Sequence, residues 1–173
     1  MIMQNALRLV FFLVALFFFV FLVSLLLPSK VTITKSVLIN APLEKVKNQI
    51  IQFDQWKNWY PAFKDEKVVI AGDTLGSNAV ILMKDDGKNI HFVLSQFKPD
   101  VIKVDVKSSS SSARVNYEFI LSPKANNEIQ LTWNVNTQLG WYPWHRISGI
   151  LLDKVSGAQY EAALADLKNV SEH

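Results

Sequence analysis

The chain has 173 residues, half of them apolar, with 18 Lys and Arg against 15 Asp and Glu, a formal net charge of +3 and no cysteine. The missing thiols exclude disulfide frameworks, thiolate metal sites and cysteine nucleophiles together. The positive charge is too dispersed for a nucleic-acid surface: no cluster is denser than Lys45 and Lys47, and only Arg114 and Arg146 are arginines after residue 27.

The first predicted element is the most apolar. Leu9 to Leu27, LVFFLVALFFFVFLVSLLL, contains one polar side chain, Ser24. As a helix these nineteen residues extend about 28 Å, close to the roughly 30 Å hydrocarbon core of a bilayer. They read as an uncleaved membrane anchor within residues 1–29, ahead of a single domain over 30–173. A removable signal peptide is the rival reading. Its apolar part is usually shorter and an A-x-A-like site should follow, whereas here the run passes into Leu25-Leu26-Leu27-Pro28-Ser29-Lys30. Flanking charges point both ways on sidedness. Arg8 set against Lys30, Lys35, Lys45 and Lys47 favours a cytoplasmic domain, while the short tail before Arg8 suits a signal anchor of the opposite orientation.

The 146 residues after Leu27 carry seventeen basic and fifteen acidic side chains, a balance of +2, and suffice for one core. Val31 to Ile39 alternates as a strand whose odd positions are apolar except Lys35. A helix follows, with Asn40 or Ala41 expected at its cap, Pro42 in the first turn and Glu44 at the favourable end of the dipole. A second short helix is predicted around Phe53 to Trp59, before Pro61. Five or six strands come next: Lys67–Ala71 with a Gly72-Asp73 turn, Ala79–Met83 with an Asp85-Asp86-Gly87 hairpin, Ile90–Phe97, Val101–Val106, and two containing Tyr117 and Trp133. Ser108 to Ser112 reads as a solvated hairpin loop, and Asn126-Asn127 as a turn. After Pro143 a long helix is predicted, with Ile147, Ile150, Leu151, Val155, Ala158 and Ala162 as its core stripe and Tyr160, Leu164 and Leu167 along a second edge. The class is therefore α+β, an antiparallel sheet with one apolar face covered by the last helix.

Ser36 to Val46, SVLINAPLEKV, resembles the opening of START-like, or SRPBCC, domains, the superfamily that includes polyketide cyclase and dehydrase-like proteins and lipid-transfer domains. Phe53 to Pro61, FDQWKNWYP, is similar to that family's tryptophan-rich second helix, and Trp133, Pro143…Arg146 and Ala163 to Lys168 to its last strand and helix. The resemblance covers about residues 31 to 170. It implies a helix-grip fold, a curved sheet around the carboxy-terminal helix, with a cavity between them for an apolar small molecule or lipid. Trp59, Phe63, Phe92, Tyr117, Trp133, Trp144, Arg146 and Ile150 are the candidate lining residues. It implies no shared catalytic residue and no cofactor.

The residues themselves offer little for catalysis. No metal-binding or phosphate-loop motif and no nucleophile elbow is present. Asp54 reads as a helix cap or as an acid near an apolar cavity, His91 as a surface histidine, and His145 as a residue at a cavity mouth. Arg146 either clamps a ligand anion or pairs with an acid. The cluster Trp141, Tyr142 and Trp144 packs as core or rim, or faces lipid beside the anchor. Three functions fit: a membrane-anchored apolar-ligand carrier, a cyclase or dehydratase using Asp54, His91 or His145, and a partner-binding membrane protein with a filled core.

Overall fold

The computed structural model describes residues 2–64, 68–69, 80–85, 88–109, 111, 113–140 and 142–173. The expected turns at Gly72-Asp73 and Asp86-Gly87, most of the strand at 67–71, Ser110, Ser112 and Trp141 lie outside the described residues. Helix α1 (Ile2–Leu25) is long and apolar enough to cross a bilayer, and its Leu7–Leu25 window is only 6% buried. Ser24, its one polar side chain in the apolar run, donates to the Phe21 carbonyl at 2.7 Å, so the hydroxyl is satisfied inside its own helix.

Strand β1 (Lys30–Asn40) starts four residues later and keeps the predicted alternation, with Ile33 and Ile39 buried. Helix α2 (Leu43–Ile51) is not capped by Asn40 or Ala41: Pro42 takes that position, with no side-chain cap bond. Asn40 is still in β1, and its N–H donates to the Glu172 carboxylate at 2.8 Å. Helix α3 (Trp56–Trp59) lies between two 3₁₀ turns at 53–55 and 61–63. Asp54 sits inside the first of these turns rather than ahead of it, so its carboxylate caps nothing there.

The remaining strands are β2 (Val68–Val69), β3 (Val80–Asp85), β4 (Lys88–Phe97), β5 (Val101–Ser108), β6 (Arg114–Pro123) and β7 (Glu128–Gln138). With β1 they form, among the described residues, one seven-stranded antiparallel sheet in the order β1-β7-β6-β5-β4-β3-β2. The chain thus crosses through α2 and α3 to the far edge and meanders back until β7 pairs with β1. A register shift between Leu94 and Gln96 adds a bulge in β4, which bends and twists the sheet toward the helices. One face carries Phe92, Val104, Phe119 and Trp133, all buried; on the other, Thr32 and Thr34 donate to Asn136 and Asn134.

Helix α4 (Pro143–Glu172) runs alongside β1 in the same direction, from Gly149 over Val31 and Leu139 to Glu172 at the Asn40 amide. Its expected core stripe is corrected by the structure. Ile147, Ile150, Leu151, Val155, Ala158 and Ala162 are exposed, while Gly149, Gly157, Ala163, Leu164, Leu167 and Ser171 are buried. The helix meets the sheet edge through Gly149, where an added Cβ would press on the Leu139 and Val31 side chains and the Leu139 end would have to shift. The same rotation aims Asp153 and Glu161 at Lys35, whose ammonium lies 3.5 and 2.8 Å from them. That explains the one cation on the apolar face of β1.

Between β6 and β7, Asn127 adopts the left-handed conformation, φ 63°. Asn127→Gly should melt close to the parent chain, whereas Asn127→Val should lose about 1–2 kcal/mol of stability, because a branched Cβ is strained there. Thermal melts of the two variants compare them directly.

Candidate functional site

The space between the sheet and the helices is filled by aromatic rings. Trp56 lies at its centre, with ring centroids of Trp59, Phe63, Phe92 and Tyr117 between 5.0 and 6.5 Å away. Trp133 of β7 stacks on Phe119 of β6 at 5.0 Å and meets Tyr160 of α4 edge-on, also at 5.0 Å. These rings arrive from six elements: strand alternation aims Phe92, Tyr117, Phe119 and Trp133 at one face, α3 lays its tryptophans across it, and the 61–63 turn and α4 add Phe63 and Tyr160. Two indoles also brace the backbone. Trp56 and Trp59 donate to the carbonyls of Ile50 and Gln49, at 2.8 and 3.0 Å, covering acceptors that the last turn of α2 leaves open.

A few polar atoms converge inside this apolar shell. The Tyr60 and Tyr117 hydroxyls share a hydrogen bond of 2.9 Å, and Tyr160 packs beside Tyr117 with its ring centroid 6.3 Å away. The indole N–H of Trp133 is fully buried and has no hydrogen-bond partner among the described residues. Burial pushes the Tyr60 and Tyr117 hydroxyls well above their ordinary pKa and raises that of Tyr160. All three are therefore neutral at physiological pH. The arrangement can donate and accept hydrogen bonds within a dry aromatic chamber that holds, among the described residues, no carboxylate or imidazole.

Of the candidate lining residues, the structure brings Trp59, Phe63, Phe92, Tyr117 and Trp133 into this cluster. Trp144 and Ile150 stand outside it, 55% and 58% exposed. Sequence reasoning missed Trp56, Tyr60 and Phe119 as members, although Phe119 shares the alternation that selected Tyr117. It placed Tyr160 only on a secondary edge of the helix. Asp54, His91 and His145 do not meet. Asp54 is exposed beside α3, His91 is exposed on the face of β4 opposite Phe92, and the His145 ring leans edge-on against Tyr142 at 5.6 Å.

Arg146 does something else. Its Nη1 donates to the carbonyls of Ser24, Leu25 and Leu27 at 3.3, 3.1 and 3.2 Å, so the guanidinium caps the carboxy-terminal end of α1 where the helix dipole is negative. It pairs with those carbonyls rather than with an acid.

The outer face of the sheet forms an open polar groove of about 1190 Å³, lined by residues including Lys30, Lys103, Asp105, Lys107, Arg114 and Glu118. Its centre is internally satisfied: Lys103 pairs with Glu118 at 2.9 Å, and Asn116 donates to Asp105 at 2.7 Å. Lys103 and Asn134 hold the Glu118 carboxyl below its usual pKa.

Arg146→Met should free the carbonyls at the end of α1 and cost about 1 kcal/mol locally. Hydrogen exchange should then quicken several-fold at amides 24–27 and 29 while the β6–β7 amides stay protected. The tyrosines give a pH test. Each holds its proton more tightly folded than unfolded, so their contribution is intact below the unfolded pKa of about 10 and falls as pH rises above it. Melting temperature should drop above that pH, and Tyr117→Phe should flatten the drop.

Residues 30–172 match the family model described as polyketide cyclase / dehydrase and lipid transport. No curated protein matches the sequence. Among solved structures, a START superfamily protein from Mycobacterium smegmatis is similar at 15% identity and TM-score 0.58, covering 82% of this chain and 97% of that one. The Aha1 dimer from Colwellia psychrerythraea is similar at 16% identity and TM-score 0.57, covering 82% and 96%. The Mll3558 protein from Rhizobium loti is similar at 10% identity and TM-score 0.60, covering 82% and 96%. At such identities these likenesses concern the fold alone. From Lys30 to Glu172, then, this chain belongs to the polyketide cyclase / dehydrase and lipid transport family and carries its START-like fold.

Proposed function

We propose that the protein is a membrane-anchored carrier or sensor of an apolar small molecule or lipid, bound on the aromatic interior between α3, β6, β7 and α4, without catalysis. Residues 1–29 are its anchor and 30–173 its ligand-binding domain. Family membership supports binding of an apolar ligand. The observation that carries the site is the buried, unpartnered N–H of Trp133 beside the hydroxyls of Tyr60, Tyr117 and Tyr160. A buried donor without an acceptor costs about 1–3 kcal/mol, and a carbonyl or hydroxyl oxygen on an otherwise apolar ligand would remove that cost. The interior groups that titrate are tyrosines kept neutral by burial, which suits recognition rather than proton transfer. The anchoring part of the reading is supported by α1, whose apolar side chains are exposed along nearly its whole length.

A second reading is favoured by the ring spacings themselves. With centroids 5.0–6.5 Å apart around Trp56, the chamber is occupied by its own side chains, and a ligand enters only by parting them. On that reading the domain is a filled-core, partner-binding membrane protein.

Native mass spectrometry of the full chain released from detergent separates the two. A carrier should show a discrete adduct that Trp133→Phe reduces about fivefold, the worth of one hydrogen bond of about 1 kcal/mol. Adducts equal in both proteins would belong to the lipid shell of α1. That result, or the bare mass alone, would leave the filled-core reading standing.

A further inference from the structure

Among the described residues, the first turns of α4 present an apolar face that nothing covers. Trp144, Ile147, Leu151 and Val155 follow one another at helical spacings of three, four and four, and are 55%, 45%, 52% and 75% exposed. The face turned the other way carries Gly149 and Gly157, the residues that touch the sheet. Ahead of the stripe, the Tyr142 and Trp144 rings stack at 5.3 Å and 12°, both exposed.

We propose that these turns lie in the headgroup layer of the bilayer that holds α1, with Trp144, Ile147, Leu151 and Val155 against lipid. The inference rests on reading α1 as a membrane span. Three observations fix lipid as the occupant. Arg146, in the middle of the segment, holds the last carbonyls of α1, so the stripe begins where the apolar helix ends. Stacked, amphipathic Tyr and Trp rings are the side chains that settle at a membrane boundary. The sheet end nearest α1 is basic: Lys30 and Arg114 flank Gln138 in register, and Lys107 lies opposite His91 on the same end, matching anionic headgroups. Geometry then sets a gradient. Val155 is about 14 Å along the helix from Arg146, whereas a headgroup layer is roughly 5–8 Å deep, so α4 must lean and Ile147 must sit deeper than Val155.

The chain has no cysteine, so single cysteines can carry a bimane label without background. Full-length protein bearing Ile147→Cys, Leu151→Cys, Val155→Cys, Leu16→Cys or Asn169→Cys is reconstituted in vesicles of phosphatidylcholine and phosphatidylglycerol, with and without brominated acyl chains. Asn169 is an exposed position on the same side of α4, about 27 Å beyond Leu151. Bromine should quench Leu16 most, then Ile147, Leu151 and Val155 in that order, with at least twofold loss at Ile147 and none at Asn169. If Leu16 is quenched while the stripe behaves like Asn169 and yields to aqueous iodide, the anchor stands and this inference is wrong. If the stripe resists both quenchers and Ile147→Cys cross-links to a second copy, the occupant is protein and the inference is again wrong. If Leu16 itself is not quenched, the anchor reading fails and the inference falls with it.

Discussion

The close approach of α4 to β1 sets the rest of the structure. Gly149 lies against the Leu139 and Val31 side chains, and Gly157 against the Lys35 side chain. Once the helix lies there, its rotation is fixed. Asp153 and Glu161 face Lys35, Tyr160 is carried over Trp133 and Tyr117, and Arg146 meets the end of α1. The ion pairs at Lys35 involve carboxylates more than 60% exposed, so they select the rotation more than they strengthen it. The apolar burial that holds the helix comes later along it, from Ala163, Leu164 and Leu167.

The aromatic interior follows from a different constraint, the need to cover one face of a bent sheet with short helices. Branched aliphatic side chains on α3 would not span the gap, whereas Trp56 and Trp59 reach the sheet and still return their N–H groups to α2. Rings so large bring polar atoms with them. Tyr60 and Tyr117 solve this by bonding to each other. Trp133 does not: its N–H is buried without an acceptor among the described residues, as are the Gln49 Oε1, Arg146 Nε and Ser171 Oγ atoms without partners.

The sheet was legible in the sequence because its signal is a period of two, and one face had to be apolar: Tyr117, Phe119 and Leu121, then Ile129, Leu131 and Trp133, all face inward as the alternation requires. Lys35 looked like the exception and is one; its partners lie 118 and 126 positions away, beyond any local pattern. The long helix was legible as a helix but not in its orientation. Periodicity finds an apolar stripe and assumes that it faces the core, so it selected Ile147, Leu151 and Val155, which are exposed. Nor does spacing show that Arg146 would serve the end of another helix. Five of the candidate site residues gathered in the ring cluster because they lie on the sheet or beside it. Trp144 and Ile150 did not, because they lie on α4, where the face was misjudged.

That misjudged face is itself informative. Fully burying an apolar side chain of this size is worth about 1.5–3 kcal/mol, so a helix that leaves Trp144, Ile147, Leu151 and Val155 about half exposed to water forgoes several kcal/mol. A glycine face toward the sheet recovers little of it, since glycine brings no side chain to bury. The first half of α4 is thus held to the domain by the approach of Gly149 to Val31 and Leu139, by Leu152 and by the Lys35–Asp153 pair, and to the end of α1 by Arg146, while the second half is held by apolar packing. On the membrane reading proposed above, the two halves of α4 would face two surroundings, a protein interior beyond Tyr160 and lipid before it, and α1, whose apolar residues are exposed in the same way and whose last carbonyls Arg146 holds, would share the second.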